Sequence, residues 1–173
     1  MGIQRAIAVV LVAGMRMALL AQVGTATPAV KPAYSLTVRA AQSEVQVGKP
    51  INVDITLTNI SEKALSIAFE RGGHNEFIYL IVVADQQGVE APYTPYFRAV
   101  MGRRREPGDP DTDTGFSTRL LTVQPSKSVT TQTDITLLYR LEAPGTYTVR
   151  VERFDKSSGI RVKSNTVDLT VTP

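Results

Sequence analysis

The chain has 173 residues, 43% hydrophobic and 20% charged, with 12 Gly and 10 Pro, which gives room for one domain plus a small appendage and excludes a disordered chain, a collagen-like repeat or a coiled coil. It has no Cys and a single His, His74, so disulfide scaffolds, thiolate zinc sites, cysteine nucleophiles and multi-histidine metal centres are excluded. A formal net charge of +3 from 19 basic and 16 acidic residues is too even a balance for a phosphate-binding footprint, so nucleic acid is not an expected partner.

The first 26 residues read as an export signal. Met1 to Arg5 gives a cationic start, an apolar run extends from Ala6 to Leu20, and small residues stand at Gly24 and Ala26, where cleavage is expected. Arg16 interrupts the run, and the stretch from Ala6 to Met15 is too short to cross roughly 30 Å of hydrocarbon, so no stable membrane span is expected after processing. Processing also removes Arg5 and Arg16 and brings the charge nearer neutrality. The expected localisation is export, to the periplasm or the medium. Residues 27–34 form a Pro-containing spacer, and residues 35–173 are expected to be the folded domain.

From Leu36 onward the apolar residues alternate. Leu36 and Val38 are followed by Val45 and Val47, then by Ile51, Val53, Ile55 and Leu57 interleaved with Asn52, Asp54, Thr56 and Thr58. A period of two puts one face on a core and the other in water, as in a strand. Val47-Gly48-Lys49-Pro50 and Asn59-Ile60-Ser61-Glu62 supply turns between strands. Leu65, Ile67 and Phe69 make the next strand. Phe77 to Ala84 is apolar on both faces, which predicts a central strand covered on both sides or an edge strand covered by a loop, ending in the Asp85-Gln86-Gln87-Gly88 turn. Leu121 and Val123 lead into Gln124-Pro125-Ser126-Lys127, and Ile135, Leu137 and Tyr139 alternate with Asp134, Thr136 and Leu138. After Ala143-Pro144-Gly145 come Tyr147, Val149 and Val151, a turn at Asp155 to Gly159, and Val167, Leu169 and Val171.

About eight short strands, with no sustained helical spacing after residue 33, predict an all-β fold: a single immunoglobulin-like antiparallel β-sandwich. Its inward set is expected to include Val53, Ile55, Leu57, Ile81, Ile135, Leu137, Tyr147, Val149, Leu169 and Val171. Tyr147, entering a strand just after a turn, has the placement of a tyrosine corner.

Leu57-Thr58-Asn59-Ile60-Ser61 followed by Leu65, Phe77 to Val83 followed by Asp85-Gln86-Gln87-Gly88-Val89, the Val123 to Lys127 turn and Pro144-Gly145-Thr146-Tyr147-Thr148-Val149 together resemble bacterial exported immunoglobulin-like domains. Their order also resembles the BsuPI-type proteinase inhibitor domain, over roughly Ser35 to Val171. That resemblance implies a sandwich fold and, as an alternative function, proteinase inhibition. It carries over no inhibitory residue.

The least regular stretch is a long loop near residues 92–117. Tyr93, Tyr96 and Phe97 could form an aromatic platform for a protein or glycan, or pin the loop to the sandwich; Arg103, Arg104 and Arg105 could grip an oxyanion or an acidic partner. Asp109, Asp111 and Asp113 alternate as calcium ligands do, but Pro110 stiffens the spacing and Leu120 stands where a calcium loop has Glu. His74 and Glu76 could act as a general base, yet no nucleophile motif accompanies them. Asn59-Ile60-Ser61 is both a glycosylation sequon and a polar turn. The chain is therefore expected to be a non-enzymatic exported interaction module, without a cofactor, that binds an unknown protein or glycan through its loops.

Overall fold

The computed structural model describes residues 30–70, 74–102, 106, 107, 109 and 117–173. The signal segment, Arg103, Arg104, Arg105, Asp111 and Asp113 lie outside the described residues.

Among the described residues, nine strands form an all-β sandwich. They are β1 (Tyr34–Ala40), β2 (Glu44–Gln46), β3 (Asn52–Asn59), β4 (Leu65–Glu70), β5 (Leu80–Asp85), β6 (Thr118–Val123), β7 (Ser128–Asp134), β8 (Gly145–Asp155) and β9 (Ile160–Thr172). One sheet has the order β1-β3-β7 and is antiparallel. The other has the order β2-β9-β8-β5, with β2 parallel to β9 and the remaining pairs antiparallel. A separate two-stranded β4-β6 ribbon adds Ile67, Phe69 and Val123 to the core.

The alternation read from the sequence sets the register. Leu36 lies opposite Leu57, Val38 opposite Ile55 and Ala40 opposite Val53, so β1 and β3 share an apolar face, which β7 continues with Val129, Thr131 and Thr133. In the second sheet Ile81 faces Val151, Val83 faces Val149 and Tyr147 faces Leu169. A slip of one residue would turn each of these sets to solvent, which is why patterning fixes pairing here. The two sheets are also tied by polar groups. The Val38 N–H donates to Asn165 Oδ1 (2.9 Å) and Asn165 Nδ2 donates to the Val38 carbonyl (3.0 Å). The Tyr147 hydroxyl donates to the Ala143 carbonyl at 2.9 Å, which is the tyrosine corner. Gly48, Gly88 and Gly159, with φ of 78°, 78° and 72°, turn the chain in a region that side chains with a Cβ avoid.

Of the two readings of the apolar run at Phe77, the edge reading holds, because β5 ends its sheet. Its outer edge is covered by the following loop: the Ala91 N–H donates to the Val83 carbonyl at 2.9 Å, and Ala84 bridges to Glu90.

Three expectations need correction. Phe77 is not strand; Asn75–Phe77 form a 3-10 turn and β5 begins at Leu80. Residues Ile135–Leu137 also form a 3-10 turn, because Asp134 Oδ1 accepts from the Thr136 N–H (3.0 Å) and its hydroxyl (2.7 Å) and thereby ends β7. The coil rotates Leu137 out to 60% exposure and Leu138 in to 1%, so Leu137 leaves the core set. The rest of that set is buried. The long loop contains α1 (Pro95–Val100). Of the two readings of Asn59-Ile60-Ser61, the polar turn holds: Asn59 is buried, with Nδ2 donating to the Lys63 and Val123 carbonyls (2.8 and 2.9 Å) and Oδ1 accepting from Ser61. It holds a turn together and is closed to glycosylation.

Candidate functional site

The two 3-10 turns and α1 meet at one end of the sandwich. Asn75 anchors the first turn to β7: its Nδ2 donates to the Gln132 carbonyl (2.9 Å) and to Thr133 Oγ1 (2.8 Å). Thr94 caps α1, with Oγ1 accepting from the Phe97 N–H (3.1 Å) and donating to the Leu137 carbonyl (2.7 Å), while the Thr94 N–H donates to the Leu138 carbonyl (2.9 Å). Pro95 occupies the first turn of α1, where its missing N–H costs nothing. One threonine thus starts the helix and docks it on the second 3-10 turn.

This arrangement brings His74, Glu76 and Tyr96 together. The Tyr96 hydroxyl donates to Glu76 Oε1, and His74 Nδ1 lies 3.1 Å from the same oxygen and 3.0 Å from the Tyr96 hydroxyl. Burial raises the Tyr96 pKa, and the hydrogen bond to Glu76 raises it further, so the phenol keeps its proton. Facing a carboxylate and a hydroxyl oxygen that has already committed its hydrogen, Nδ1 is the protonated nitrogen of the imidazole. The Glu76 side chain is 3% exposed whereas that of His74 is 48% exposed, so a buried carboxylate orients an accessible imidazole.

These three residues, with Thr133, Asp134, Leu137 and Leu138, line a pocket of about 260 Å³. The volume suits one sugar ring or one side chain, being below the range of about 300–1,000 Å³ usual for drug-sized ligands. An aromatic edge, an exposed Leu, an imidazole and two carboxylates supply both an apolar wall and hydrogen-bond groups. The Thr133 hydroxyl already accepts from Asn75, and no Ser side chain lines the pocket among the described residues.

The sequence-predicted aromatics separate. Tyr96 lines the pocket. Phe97 is only 1% exposed and cannot serve on a platform: its ring packs 4.9 Å from Tyr93 and 5.3 Å from Tyr139. Tyr93 packs edge-on to Tyr139 at 5.3 Å, and its hydroxyl donates to Glu90 at 2.8 Å. Tyr139 places its hydroxyl between the Ile81 carbonyl (2.8 Å) and Glu90 (2.9 Å). Burial, followed by the Glu90 charge, raises the Tyr139 pKa. These rings pin the α1 segment to the sandwich.

Asp109 is the counter-ion of Arg98. The guanidinium donates to both carboxylate oxygens, at 3.2 and 2.6 Å, to the Tyr93 carbonyl at 3.0 Å, and pairs with Glu106 at 3.2 Å. The Arg98 hydrogen bond, aided by the Glu106 N–H, lowers the Asp109 pKa. Both Asp109 oxygens are thus engaged by the Arg98 guanidinium. Among the described residues no group of three or more His, Asp or Glu side chains could hold a metal.

No family model matches the chain, and no curated protein matches it. Among solved structures, it is similar to the CARDB domain of a Pyrococcus furiosus protein, solved in complex with di-metal ions, at 9% identity and TM-score 0.44 over 82% of this chain and 89% of that one. It is also similar to the sporulation control protein Spo0M of Bacillus subtilis, at 11% identity and TM-score 0.40 over 82% of this chain and 50% of that one. A third likeness is to the alkylpurine DNA glycosylase AlkC of Pseudomonas fluorescens, bound to DNA containing an abasic site analogue, at 12% identity and TM-score 0.41 over 82% of this chain and 31% of that one. This chain thus spans half or less of the last two. The description of the fold as a sandwich rests on its strand pairing and register.

Proposed function

We propose that this protein is a non-enzymatic, exported interaction module that takes up a polar group of a glycan or protein partner at the His74–Tyr96–Leu137 end of the sandwich. The observation that carries this reading is the pocket itself: a small concavity where Glu76 holds His74 and Tyr96 in fixed positions beside a large apolar side chain left in water. Fixed hydrogen-bond groups beside apolar surface suit hydroxyl-bearing rings, because orientation is set before the ligand arrives. The His74–Glu76 pair is read as a hydrogen-bonding element of the pocket and not as a general base; among the described residues the pocket is lined by no serine and no metal-binding group of three.

The test is a titration of the full chain with a panel of neutral oligosaccharides and short peptides, followed by backbone NMR. The expected result is saturable perturbation of His74, Tyr96 and Leu137, lost in Tyr96→Ala. Perturbation confined to other surfaces would overturn the site. Turnover of an activated ester that disappears in His74→Ala would overturn the non-enzymatic reading, and saturating inhibition of a proteinase unaffected by Tyr96→Ala would favour the inhibitor function implied by the BsuPI-type resemblance.

A further inference from the structure

The two carboxylates that line the His74 pocket are each engaged through one oxygen only. Asp134 Oδ1 accepts from the Ile51 N–H (3.1 Å), the Thr136 N–H (3.0 Å) and the Thr136 hydroxyl (2.7 Å). Glu76 Oε1 takes the Tyr96 hydroxyl and faces His74 Nδ1. Asp134 Oδ2 and Glu76 Oε2 have no hydrogen-bond partner among the described residues. Nor are these two oxygens sealed in the core: among the described residues the buried side-chain polar atoms without a partner are the Tyr79 hydroxyl, Thr131 Oγ1 and Arg153 Nη1. Both carboxylate oxygens therefore reach solvent. The Glu76 side chain is 3% exposed, and that small opening includes its unbonded oxygen. A carboxylate so enclosed loses most of its hydration, which leaves Oε2 in need of a donor.

The charge is as one-sided as the hydrogen bonding. Among the described residues no Lys or Arg lines the pocket, Glu76 pairs with His74 alone and Asp134 enters no ion pair. A protonated His74 would offset one of the two negative charges and leave the other. The Tyr96 hydroxyl and the His74 Nδ1 hydrogen are already turned to Glu76. What stays open is acceptor oxygen on two acids, beside the apolar surface of Leu137 and the Tyr96 ring.

We infer that the pocket receives the side chain of a lysine from a protein partner, with its ammonium on the open oxygens of Glu76 and Asp134 and its methylene stem along Leu137 and Tyr96. This rests on the reading of the pocket as a binding site and narrows it to one ligand chemistry. An ammonium only donates, whereas the hydroxyls of a neutral sugar both donate and accept and bring no charge to the acids. Lysine also fits better than arginine. A guanidinium fork takes both oxygens of one carboxylate, and here each carboxylate has one oxygen already engaged. An ammonium is a point charge with three rotatable donors and can use single oxygens of two acids. Its four-carbon stem matches the apolar wall, so both halves of the side chain find a counterpart.

The test is a titration of the full chain with Nα-acetyl-lysine methylamide, read by backbone NMR, beside the same molecule acetylated on its side-chain nitrogen, Nα-acetyl-arginine methylamide and glucosamine. The lysine probe is expected to shift His74, Tyr96 and Leu137 saturably and to bind about tenfold more tightly than its acetylated form, an advantage that shrinks as salt is raised. Asp134→Asn keeps a carbonyl oxygen for Ile51 and Thr136 and should remove most of that advantage. Glu76→Gln, which keeps an acceptor for the Tyr96 hydroxyl, is the second variant and should do the same. Equal binding of the two lysine forms, an advantage unchanged by salt and by both substitutions, or tighter binding of the arginine probe or of glucosamine would each overturn the proposal. No saturation by the lysine probe would overturn it as well. If neutral oligosaccharides still shift His74, Tyr96 and Leu137 in that case, the pocket reading stands without the lysine, and shifts confined to other surfaces would remove both.

Discussion

The body of the sandwich and its capped end are held by different forces. In the body, Val53, Ile55, Leu57, Ile81, Val83 and Val149 are buried against one another, and backbone ladders satisfy the polar main chain. At the capped end Asn75, Glu76 and Arg98 are buried too, and their side chains do what ladders do elsewhere. Polar side chains bonded to named partners allow short turns and a six-residue helix to exist where hydrophobic periodicity alone would not form them. The body is therefore sensitive to lost volume and the cap to lost hydrogen bonds.

The largest expected effect lies in the body. Leu57→Ala, at a fully buried position, should cost about 3 kcal/mol by chemical denaturation, since it removes apolar contact and leaves a cavity. Asn75→Ala is the matching change at the cap. It leaves the Gln132 carbonyl and the Thr133 hydroxyl without their donor, with an expected loss of about 2 kcal/mol. The comparison sharpens with Asn75→Leu, which restores volume but no hydrogen bonds and should not recover the loss. Recovery would mean that the cap, like the body, is held by packing.

The same division explains what could be read in advance. In β1 and β3, and in β8 and β9 up to the irregularity between Arg150 and Glu152, each residue's side follows from its parity, so Leu36, Val53 and Val149 were identifiable as core, and Gly48, Gly88 and Gly159 marked turns. At Ile135-Thr136-Leu137 parity misleads, because the Asp134 side chain bonds Thr136 and switches the period. Asp before Ile-Thr, and Thr94 before Pro95, were local signals of capped helical turns that the surrounding alternation obscured. The His74–Tyr96 and Arg98–Asp109 contacts had no comparable local signal. They depend on how the first 3-10 turn, α1 and the chain beyond it are brought together.

A smaller effect concerns acid. Burial alone would raise the Asp155 pKa, but hydrogen bonds from the Ala33 N–H, the Ser157 and Ser158 hydroxyls and the Ser157 N–H outweigh it and hold the pKa at about 2, against an ordinary value of 3.8. A depressed carboxylate stabilises the fold fully above its unfolded pKa, and this contribution fades as pH falls from about 4 through about 2. Asp109, also depressed, acts in the same direction. Asp155→Asn should lower stability by about 1–2 kcal/mol at pH 7 and flatten the decline below pH 4, measured as denaturation midpoints at a series of pH values. An undiminished acid slope in the variant would assign the decline to other carboxylates. Because Asp155 fastens the start of β1 to the β8-β9 turn, amide exchange at Ala33 reports the same event locally.

The smallest stability effect is expected at Leu137, and it separates cap from body most directly. Alternation with Ile135 and Tyr139 would place Leu137 inward, whereas the 3-10 turn puts it in solvent and buries Leu138 in its place. Leu137→Ser should therefore change the unfolding free energy by less than about 0.5 kcal/mol. Leu138→Ser, which puts a hydroxyl into the core and removes apolar volume, should cost about 3 kcal/mol. A costly Leu137→Ser with a mild Leu138→Ser would restore the strand register. Since Leu137 also lines the His74 pocket, Leu137→Ser should weaken whatever the pocket binds while leaving the melting curve in place. That separation of binding from stability is expected where a large apolar side chain faces water beside fixed hydrogen-bond groups, and it has no counterpart at Leu57, where the side chain serves packing alone.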